Sequence, residues 1–224
     1  MRALKRTFDI VVAATALLVL SPVVALIATL VVLDSPGPVF HRAERVGFRG
    51  RPLRMLKFRK MHRGARGAAL TANGDPRLTR IGGLLARTRL DELPQLWHVL
   101  RGDMSLVGPR PEHLGFVARH PSDYRRILSV RPGLTGLAQL AFADERGVLD
   151  ASDPVGHYLT AILPQKVALD RVYASQCSVL QDLRILVATA VTLVLRLPIA
   201  VHRDTGRLTL RRRPQHQTAL AGHA

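Results

Sequence analysis

The sequence contains almost no cysteine: Cys177 is the one cysteine in 224 residues. A disulfide within the chain needs two sulfurs, and zinc or iron–sulfur sites built on thiolates need several. The sequence therefore excludes a disulfide-stapled scaffold and a multi-thiolate metal site, and it permits a reducing compartment. Cys177 itself is expected to be a small buried side chain without a reactive thiol.

Aromatic residues and known nucleotide motifs are also scarce. Aromatic side chains make up 4% of the chain, which is little for a protein that stacks on nucleic-acid bases. Neither G-x-x-x-x-G-K-[ST] nor G-x-G-x-x-G occurs, so P-loop and Rossmann sites are excluded. The nine histidines lack H-x-x-x-H and H-E-x-x-H spacings and are interpreted as surface or core residues.

Acidic residues are outnumbered: 16 Asp and Glu stand against 33 Lys and Arg, which gives a net charge of +17. The hydrophobic fraction of 47% is nevertheless too high for a disordered basic tail, and it can fill the core of one domain. Such a chain suits either a nucleic-acid backbone or an anionic membrane surface. A membrane-tethered nucleic-acid-binding protein is thus one alternative, although no recognisable nucleic-acid module is present.

One long hydrophobic run indicates a membrane. Residues 10–33 are 24 consecutive residues without a charge, whereas a bilayer core needs about 20. The run is also longer than the apolar region of a cleaved signal peptide. Both flanks are rich in Lys and Arg, as is typical of cytoplasmic segments, and Pro22 after Ser21 predicts a kink halfway. This pattern favours a re-entrant helix, with a single span that tolerates Pro22 as the alternative.

The remainder is predicted to fold as a domain of hairpin and helices. Residues 34–38 end the first helix, because they contain two prolines and a glycine. Apolar residues alternating with basic ones over residues 39–58 predict a β-hairpin. Apolar residues at helical spacing predict amphipathic helices over residues 78–85 and 93–100, with Trp97 on the packed face of the second.

The C-terminal third carries weaker signals. Residues 185–201 are apolar and predict an interfacial helix, with a buried core helix as the alternative. The polar end that follows is expected to be a mobile tail that attracts anionic lipid. Four acidic residues predict a solvated loop: Asp144, Glu145, Asp150 and Asp153.

A charged corner separates the two amphipathic helices. Asp91 and Glu92 precede Pro94, which suits the first position of a helix because its missing amide costs nothing there. Amides and the helix dipole favour ionised carboxylates at this place, as do Arg87 and Arg89. An ionised Asp can attack phosphorus, and a neighbouring carboxylate can hold a divalent ion. A plain N-terminal helix cap is the alternative.

Two rigid turns each fix an arginine. Arg110 lies within the Gly-Pro-Arg-Pro turn of residues 108–111, and Arg131 begins the Arg-Pro-Gly turn of residues 131–133. Guanidinium geometry suits bidentate binding of phosphate. For each turn alone, a structural bend with a solvated arginine is the alternative.

Six segments occur in a characteristic order and together resemble one family. They are the apolar run with Ser21-Pro22, Lys57-Phe58-Arg59-Lys60-Met61, Asp75-Pro76-Arg77-Leu78-Thr79-Arg80-Ile81-Gly82, Leu90-Asp91-Glu92-Leu93-Pro94-Gln95, Met104-Ser105-Leu106-Val107-Gly108-Pro109-Arg110-Pro111, and Arg131-Pro132-Gly133. This order is similar to that of the bacterial sugar transferases, the monotopic phosphoglycosyl transferases. The resemblance covers residues 3–190, and the sequence looks like the minimal form of the family.

The resemblance implies transfer of a sugar phosphate from a UDP-sugar to polyprenol (undecaprenyl) phosphate, the first membrane step of glycan assembly. Asp91 would attack the β-phosphorus, release UMP and carry the phosphosugar until the polyprenol phosphate collects it. Glu92 would coordinate Mg²⁺. Phosphates would be bound by Lys57, Arg59, Arg87, Arg110 and Arg131. A noncatalytic scaffold of the same fold is the second alternative.

The resemblance also implies an α+β, mainly helical fold. Because Ser21-Pro22 matches the family's helix-break-helix motif, residues 1–34 are predicted to form a re-entrant membrane hairpin. Residues 35–201 would form a cytosolic, interfacial catalytic domain with a small β-hairpin and amphipathic helices, and residues 202–224 a basic polar tail. The protein is thus expected at the cytosolic face of the bacterial inner membrane, against anionic lipid and without nucleic acid. No particular sugar, polyprenol length, glycan pathway or oligomeric state is selected.

The sequence departs from the family pattern beside the proposed nucleophile. Ala86 stands where the family commonly has arginine, and Arg89 replaces a serine. Lys60 replaces a small residue in the preceding basic segment. The phosphate contacts usual at positions 86 and 89 are therefore not carried over.

Overall fold

The computed structural model describes residues 2–67, 71, 74–144, 153–195, 197 and 199–210. Within these residues the protein is mainly helical with three two-stranded sheets, as the predicted fold class requires. Of the predicted acidic loop, Glu145 and Asp150 lie outside the described residues, as do residues 211–224 of the predicted tail.

The described helices follow one another along the chain with short connections. They are α1 (Arg2–Asp34), α2 (Arg80–Thr88), α3 (Leu96–Arg101), α4 (Leu114–Val117), α5 (Pro121–Ile127), α6 (Leu137–Ala141), α7 (Pro154–His157), α8 (Leu163–Gln176) and α9 (Val179–Val194). A π-helical segment, Tyr158–Ile162, joins α7 to α8. Short 3₁₀ segments occupy Phe48–Gly50 and Leu90–Gln95.

The three sheets are small. Strands β1 (Phe40–Val46) and β2 (Pro52–Phe58) pair antiparallel, which confirms the predicted hairpin. Strands β3 (Ser105–Val107) and β4 (Gly133–Thr135) pair in parallel. A Cβ on Gly133 would lie 2.0 Å from the amide nitrogen of Gly108, so glycine is needed where the two turns meet. Strands β5 (Ile199–Val201) and β6 (Leu208–Leu210) form a further antiparallel hairpin.

Helix α1 runs through Ser21-Pro22 without interruption over 33 residues. Pro22 has no amide hydrogen to give to the carbonyl of Leu18, four residues earlier. The Ser21 hydroxyl donates to that same carbonyl at 2.8 Å and so replaces the missing hydrogen bond. The predicted helix break and the re-entrant course are not confirmed here and stay predictions.

Both ends of α1 are attached to the same globular body. Near its start, the Arg6 guanidinium donates to two carbonyl oxygens at the end of α3, at 2.6 and 2.8 Å, and Asp9 accepts from the Ser105 hydroxyl at 2.8 Å. At its end, Asp34 accepts from the amide of Ile81 at 2.9 Å. The helix therefore lies along the domain instead of projecting from it.

The opposite face of α1 is an exposed apolar stripe. By length and composition α1 could cross a membrane. The stripe consists of side chains that are each more than half exposed and recur about every seven residues: Leu4, Val11, Leu18, Val19, Leu26 and Leu33. Exposed apolar side chains in a row along one helix are typical of a membrane or protein contact.

Three apolar clusters fill the interior. The largest packs α1, the β1–β2 hairpin, α3 and α9 around residues such as Met55, Val99 and Ile185. A second surrounds Tyr158 and the π-helical segment. The third joins the C-terminal half of α1 to α2 and β2 through Phe58. Helix α1 and the rest of the domain therefore pack together through shared apolar clusters.

Several local predictions are wrong in detail. Trp97 is 52% exposed, because the 3₁₀ segment before α3 shifts the helical phase, so that residues 96 and 99 face the core. Pro94 lies inside that 3₁₀ segment and does not begin a helix. Cys177 is exposed at the end of α8.

The predicted C-terminal elements also differ. The apolar helix expected over residues 185–201 is α9, which begins and ends earlier, and residues 199–201 are strand β5. The predicted tail begins at residue 202, yet β6 pairs with β5. The apolar run thus divides between a helix and a strand, which hydrophobicity alone does not distinguish.

Candidate active site

Asp91 and Glu92 lie on the 3₁₀ segment that follows α2. Arg89 ends α2 in the left-handed region, with φ of 58°, a conformation uncommon for a residue with a side chain. Its guanidinium donates to the carbonyl of Ala143 at 2.5 Å, which holds the turn. Asp91 and Glu92 are buried, at 3% and 9% exposure. Two adjacent acids in the interior need cationic partners.

Glu92 has two such partners. Its Oε1 lies 2.8 Å from Lys57 Nζ and 2.5 Å from Arg110 Nη2, and its Oε2 lies 3.3 Å from Arg110 Nη1. Burial alone would raise the pKa of Glu92, but the Arg110 and Lys57 charges outweigh it and hold this pKa well below its usual range. Burial lowers the pKa of Lys57, and Glu92 opposes that shift.

Asp91 is paired with Lys60, a residue that the sequence-based site did not include. Lys60 Nζ lies 3.2 Å from Asp91 Oδ2. Lys60 lies two residues after the end of β2 and of the predicted hairpin. The signal for it was the dense basic segment around residue 57, but nothing in the sequence indicated which of those cations faces the acids.

The paired acids lie at the wall of a large cavity. Its volume is about 510 Å³. Among the described residues, nine Lys or Arg and three carboxylates line it, the latter being Asp91, Glu92 and Glu112. Such an excess of positive charge attracts polyanions. Ala86 and Arg89, the two departures from the family pattern, also line this cavity.

Three of the five predicted phosphate-binding residues line the cavity. Lys57 and Arg110 lie in the cavity beside Glu92. Arg59 lines it too, but its guanidinium donates to the carbonyls of Ser35 and Pro36 and thereby caps the end of α1. The structure thus joins Arg59 to the end of α1.

Two predicted residues lie elsewhere. Arg87 is exposed on α2, where its Nε donates to the Gly83 carbonyl at 3.3 Å. Arg131 donates to the Gly102 carbonyl at 2.9 Å and covers the ring of Phe48. Neither is among the described residues that line the cavity. A local sequence pattern fixes the backbone position of an arginine, but its guanidinium can reach different partners several ångströms away.

A second polar cluster lines the same cavity, and sequence reasoning missed it. The Tyr158 hydroxyl donates to Glu112 Oε1 at 2.9 Å. Lys166 donates to the same hydroxyl at 3.2 Å and lies 3.8 Å from Glu112 Oε1. Glu112 directly follows the Gly-Pro-Arg-Pro turn, and this is the sequence feature that could have identified it. Tyr158 and Lys166 are distant in sequence, and no motif marks them.

The site offers few protein ligands to Mg²⁺. The described residues contain no group of three or more His, Cys, Asp or Glu placed to hold a metal ion. Mg²⁺ is, however, commonly held by one or two carboxylates together with substrate phosphates. The neighbouring carboxylates Asp91 and Glu92 are oxygen donors of that type. The site therefore fits an ion bound with a phosphate substrate and does not fit an all-protein cage.

The fold and the site define a class: a protein with one long, exposed apolar helix and with paired buried acids in a basic cavity suited to phosphate-bearing molecules. Sequence comparison gives the family. The profile of the bacterial sugar transferases matches residues 1–196, and the chain belongs to that family. The predicted family is thereby confirmed, and so is the predicted type of enzyme, a sugar-phosphate transferase.

Named relatives agree with this family. The exopolysaccharide production protein PSS of Rhizobium leguminosarum bv. phaseoli is 40% identical over 198 residues, which cover 84% of this chain and 94% of that protein. The UDP-glucose:undecaprenyl-phosphate glucose-1-phosphate transferase of Caulobacter vibrioides is 39% identical over 195 residues, 85% of this chain and 69% of that protein. The nucleic-acid alternative receives no support from them.

A third relative carries a different sugar in its name. The UDP-N-acetylgalactosamine-undecaprenyl-phosphate N-acetylgalactosaminephosphotransferase of Aeromonas hydrophila is 44% identical over 144 residues. This match covers 61% of this chain and 34% of that protein. Similarity of this degree therefore extends across relatives named for different sugars.

Proposed function

We propose that this protein transfers a sugar 1-phosphate from a UDP-sugar to undecaprenyl phosphate and releases UMP. The observation that carries the proposal is the buried pair Asp91 and Glu92, held by Lys60, Lys57 and Arg110 in a basic cavity. Relatives named for this reaction with glucose and with N-acetylgalactosamine support the substrate class.

Asp91 is the proposed nucleophile. Its carboxylate oxygen bonds to the β-phosphorus while the bond from that phosphorus to the bridging oxygen breaks, and UMP leaves with the electron pair. A phosphate oxygen of the polyprenol phosphate then attacks the same phosphorus, and the Asp91 carboxylate is restored. Neither step requires a proton from the protein. Lys60, 3.2 Å from Asp91 Oδ2, holds the carboxylate in place until the donor arrives.

Glu92, Lys57 and Arg110 form the proposed electrostatic part of the site. Without substrate, the two cations neutralise Glu92. A donor diphosphate offers them more negative charge, so they are expected to turn partly from Glu92 to the phosphates. Glu92 would then hold Mg²⁺ together with those phosphates, and the ion would neutralise charge on phosphate oxygens.

We propose that α1 keeps this site at the cytosolic face of the inner membrane. Both ends of α1 bond to the domain, through Arg6 and Asp9 at one end and Asp34 at the other. A straight span would place its two ends on opposite sides of the bilayer, so this attachment supports a re-entrant or in-plane helix. The acceptor's phosphate lies at the same level as the cavity in that arrangement.

The function is tested with purified protein in membrane vesicles, a panel of UDP-sugars, Mg²⁺ and undecaprenyl phosphate. We expect UMP from one or a few sugars, and Asp91→Asn should reduce its release by about three orders of magnitude. Asp103→Asn, a partly exposed acid at the end of α3, is the matched control and should retain activity.

The covalent step has its own readout. When the protein is quenched with acid after donor is added without acceptor, the peptide that contains Asp91 should carry a hexose-phosphate adduct. Full UMP release by Asp91→Asn, or an adduct on another peptide, contradicts the assigned nucleophile. Unchanged glycan in cells that carry only Asp91→Asn would favour the noncatalytic scaffold.

A further inference from the structure

The third carboxylate of the cavity has no role in the reaction above. Asp91 and Glu92 act on phosphorus, whereas Glu112 lies in the second polar cluster with Tyr158 and Lys166. A carboxylate and a diphosphate repel each other. Even with Lys166 nearby, Glu112 is therefore better placed against an uncharged part of the substrate than against its phosphates.

We propose that Glu112, held in place by Tyr158 and Lys166, forms a subsite that binds vicinal hydroxyl groups of the UDP-sugar donor. This inference rests on the proposed function and assigns the uncharged part of the same substrate. A UDP-sugar carries such hydroxyls on its ribose and on its hexose, and the chemistry of recognition is the same for both.

The hydrogen-bonding capacity of the cluster matches a diol. A carboxylate only accepts, an ammonium group only donates, and a pair of hydroxyls does both. The Tyr158 hydroxyl uses its proton on Glu112 Oε1 and accepts from Lys166. Glu112 is thereby fixed from one side, and its carboxylate oxygens can still accept from substrate hydroxyls. Lys166 lies against Glu112 at 3.8 Å and reduces the cost of its burial.

The position of Tyr158 supports a role in orienting Glu112. Tyr158 begins the π-helical segment, and π-helical turns inside helices are frequent at functional sites. Tyr158 is fully buried, and Lys166 Nζ lies 4.8 Å from its ring centroid. The ring of Phe116, 5.1 Å away, is partly exposed and lines the cavity, so it can meet the C–H groups of a sugar whose hydroxyls bind Glu112.

Binding of three probes tests the subsite in the full chain, in detergent, by calorimetry. Glu112→Gln keeps the size of the side chain and its acceptor for Tyr158 but removes the charge. We expect it to weaken UDP-glucose binding by about tenfold or more. Inorganic pyrophosphate carries no sugar hydroxyls. It should bind the variant as tightly as the wild type or more tightly, because a repelling charge is gone. Glu44→Gln, an exposed acid on β1, is the control.

The third probe, UDP, distinguishes the two sources of hydroxyls. A loss for UDP equal to that for UDP-glucose assigns the subsite to ribose, and a loss for UDP-glucose alone assigns it to the hexose. Equal weakening of pyrophosphate would show a structural defect and overturn the inference, as would unchanged binding of UDP-glucose. A wild-type chain that binds pyrophosphate but neither UDP nor UDP-glucose would overturn the proposed function as well.

Discussion

Lys60 Nζ lies 3.2 Å from Asp91 Oδ2, so a lysine just after β2 forms an ion pair with an acid just after α2. Glu92, the residue after Asp91, pairs with Lys57 of β2. The hairpin therefore supplies a cation to each acid. Because β2 also contributes Phe58 to the core beneath α1, the position of these cations is coupled to the packing of that helix.

Replacing Lys60 should slow the reaction. The Lys60 charge orients Asp91 and stabilises negative charge near it, and Lys60→Met removes that charge. We expect the rate of UMP release to fall by about 10²-fold. Arg54→Met, on the exposed side of β2, changes the net charge equally and should leave the rate unchanged. A Lys60→Met protein with the wild-type rate would show that Lys60 only fills space.

Removing Glu92 should destabilise the protein. Glu92→Gln leaves Lys57 and Arg110 close together and partly desolvated without a compensating charge, which should lower the free energy of unfolding by about 3 kcal/mol. Adding Lys57→Met to that variant removes one of the two cations and should restore part of the loss. Thermal unfolding in one detergent measures both. Strictly additive effects of the two changes would contradict the proposed coupling.

Asp170 should make stability depend on pH. It is buried in α8, and burial, reinforced by Glu112, raises its pKa well above the usual value. Above the ordinary Asp pKa of about 3.9 the folded state keeps a proton that the unfolded state has lost. Stability should therefore fall as pH rises towards the folded-state pKa, by at most about 1.4 kcal/mol per pH unit.

Asp170→Asn tests that relationship, because an amide does not titrate. Its melting temperature between pH 4 and 8 should be flatter than that of the wild type and higher at the upper end. Asp144→Asn, an exposed acid, should keep the wild-type profile. Glu92 affects the pH dependence of stability in the opposite direction. Because its pKa is lowered in the folded state, its contribution to stability is lost as pH falls below about 4.3. Parallel profiles for wild type and Asp170→Asn would refute the assignment.

Cysteine labelling should place both ends of α1 on one side of the membrane. Leu4→Cys and Leu33→Cys, each made with Cys177→Ser, lie on the exposed stripe near the two ends. In intact cells a membrane-impermeant maleimide should modify neither, and both should react after permeabilisation. Exposed Cys177 of the wild type is the control for the domain. Labelling of one end alone in intact cells would establish a span.

Much of the site was accessible from the sequence because its parts lie in short local patterns. Asp91 and Glu92 were found next to a predicted helix, and they occupy the 3₁₀ segment there. Lys57 and Arg110 were expected at phosphates and lie in the cavity. Arg87 and Arg131 were expected there too, but a long side chain follows whichever carbonyl or ring is near it, and that neighbour comes from a distant segment.

The hairpin, the apolar helix and the pair of acids could be predicted from local spacing and composition, and the family from the order of short motifs. Tertiary structure decided which cation meets which acid, that Arg59 caps α1, and that Glu112 meets Tyr158 and Lys166. It also decided that α1 lies along the domain. The physical reason is that burial and ion pairing depend on residues distant in sequence, brought together only when the core is packed.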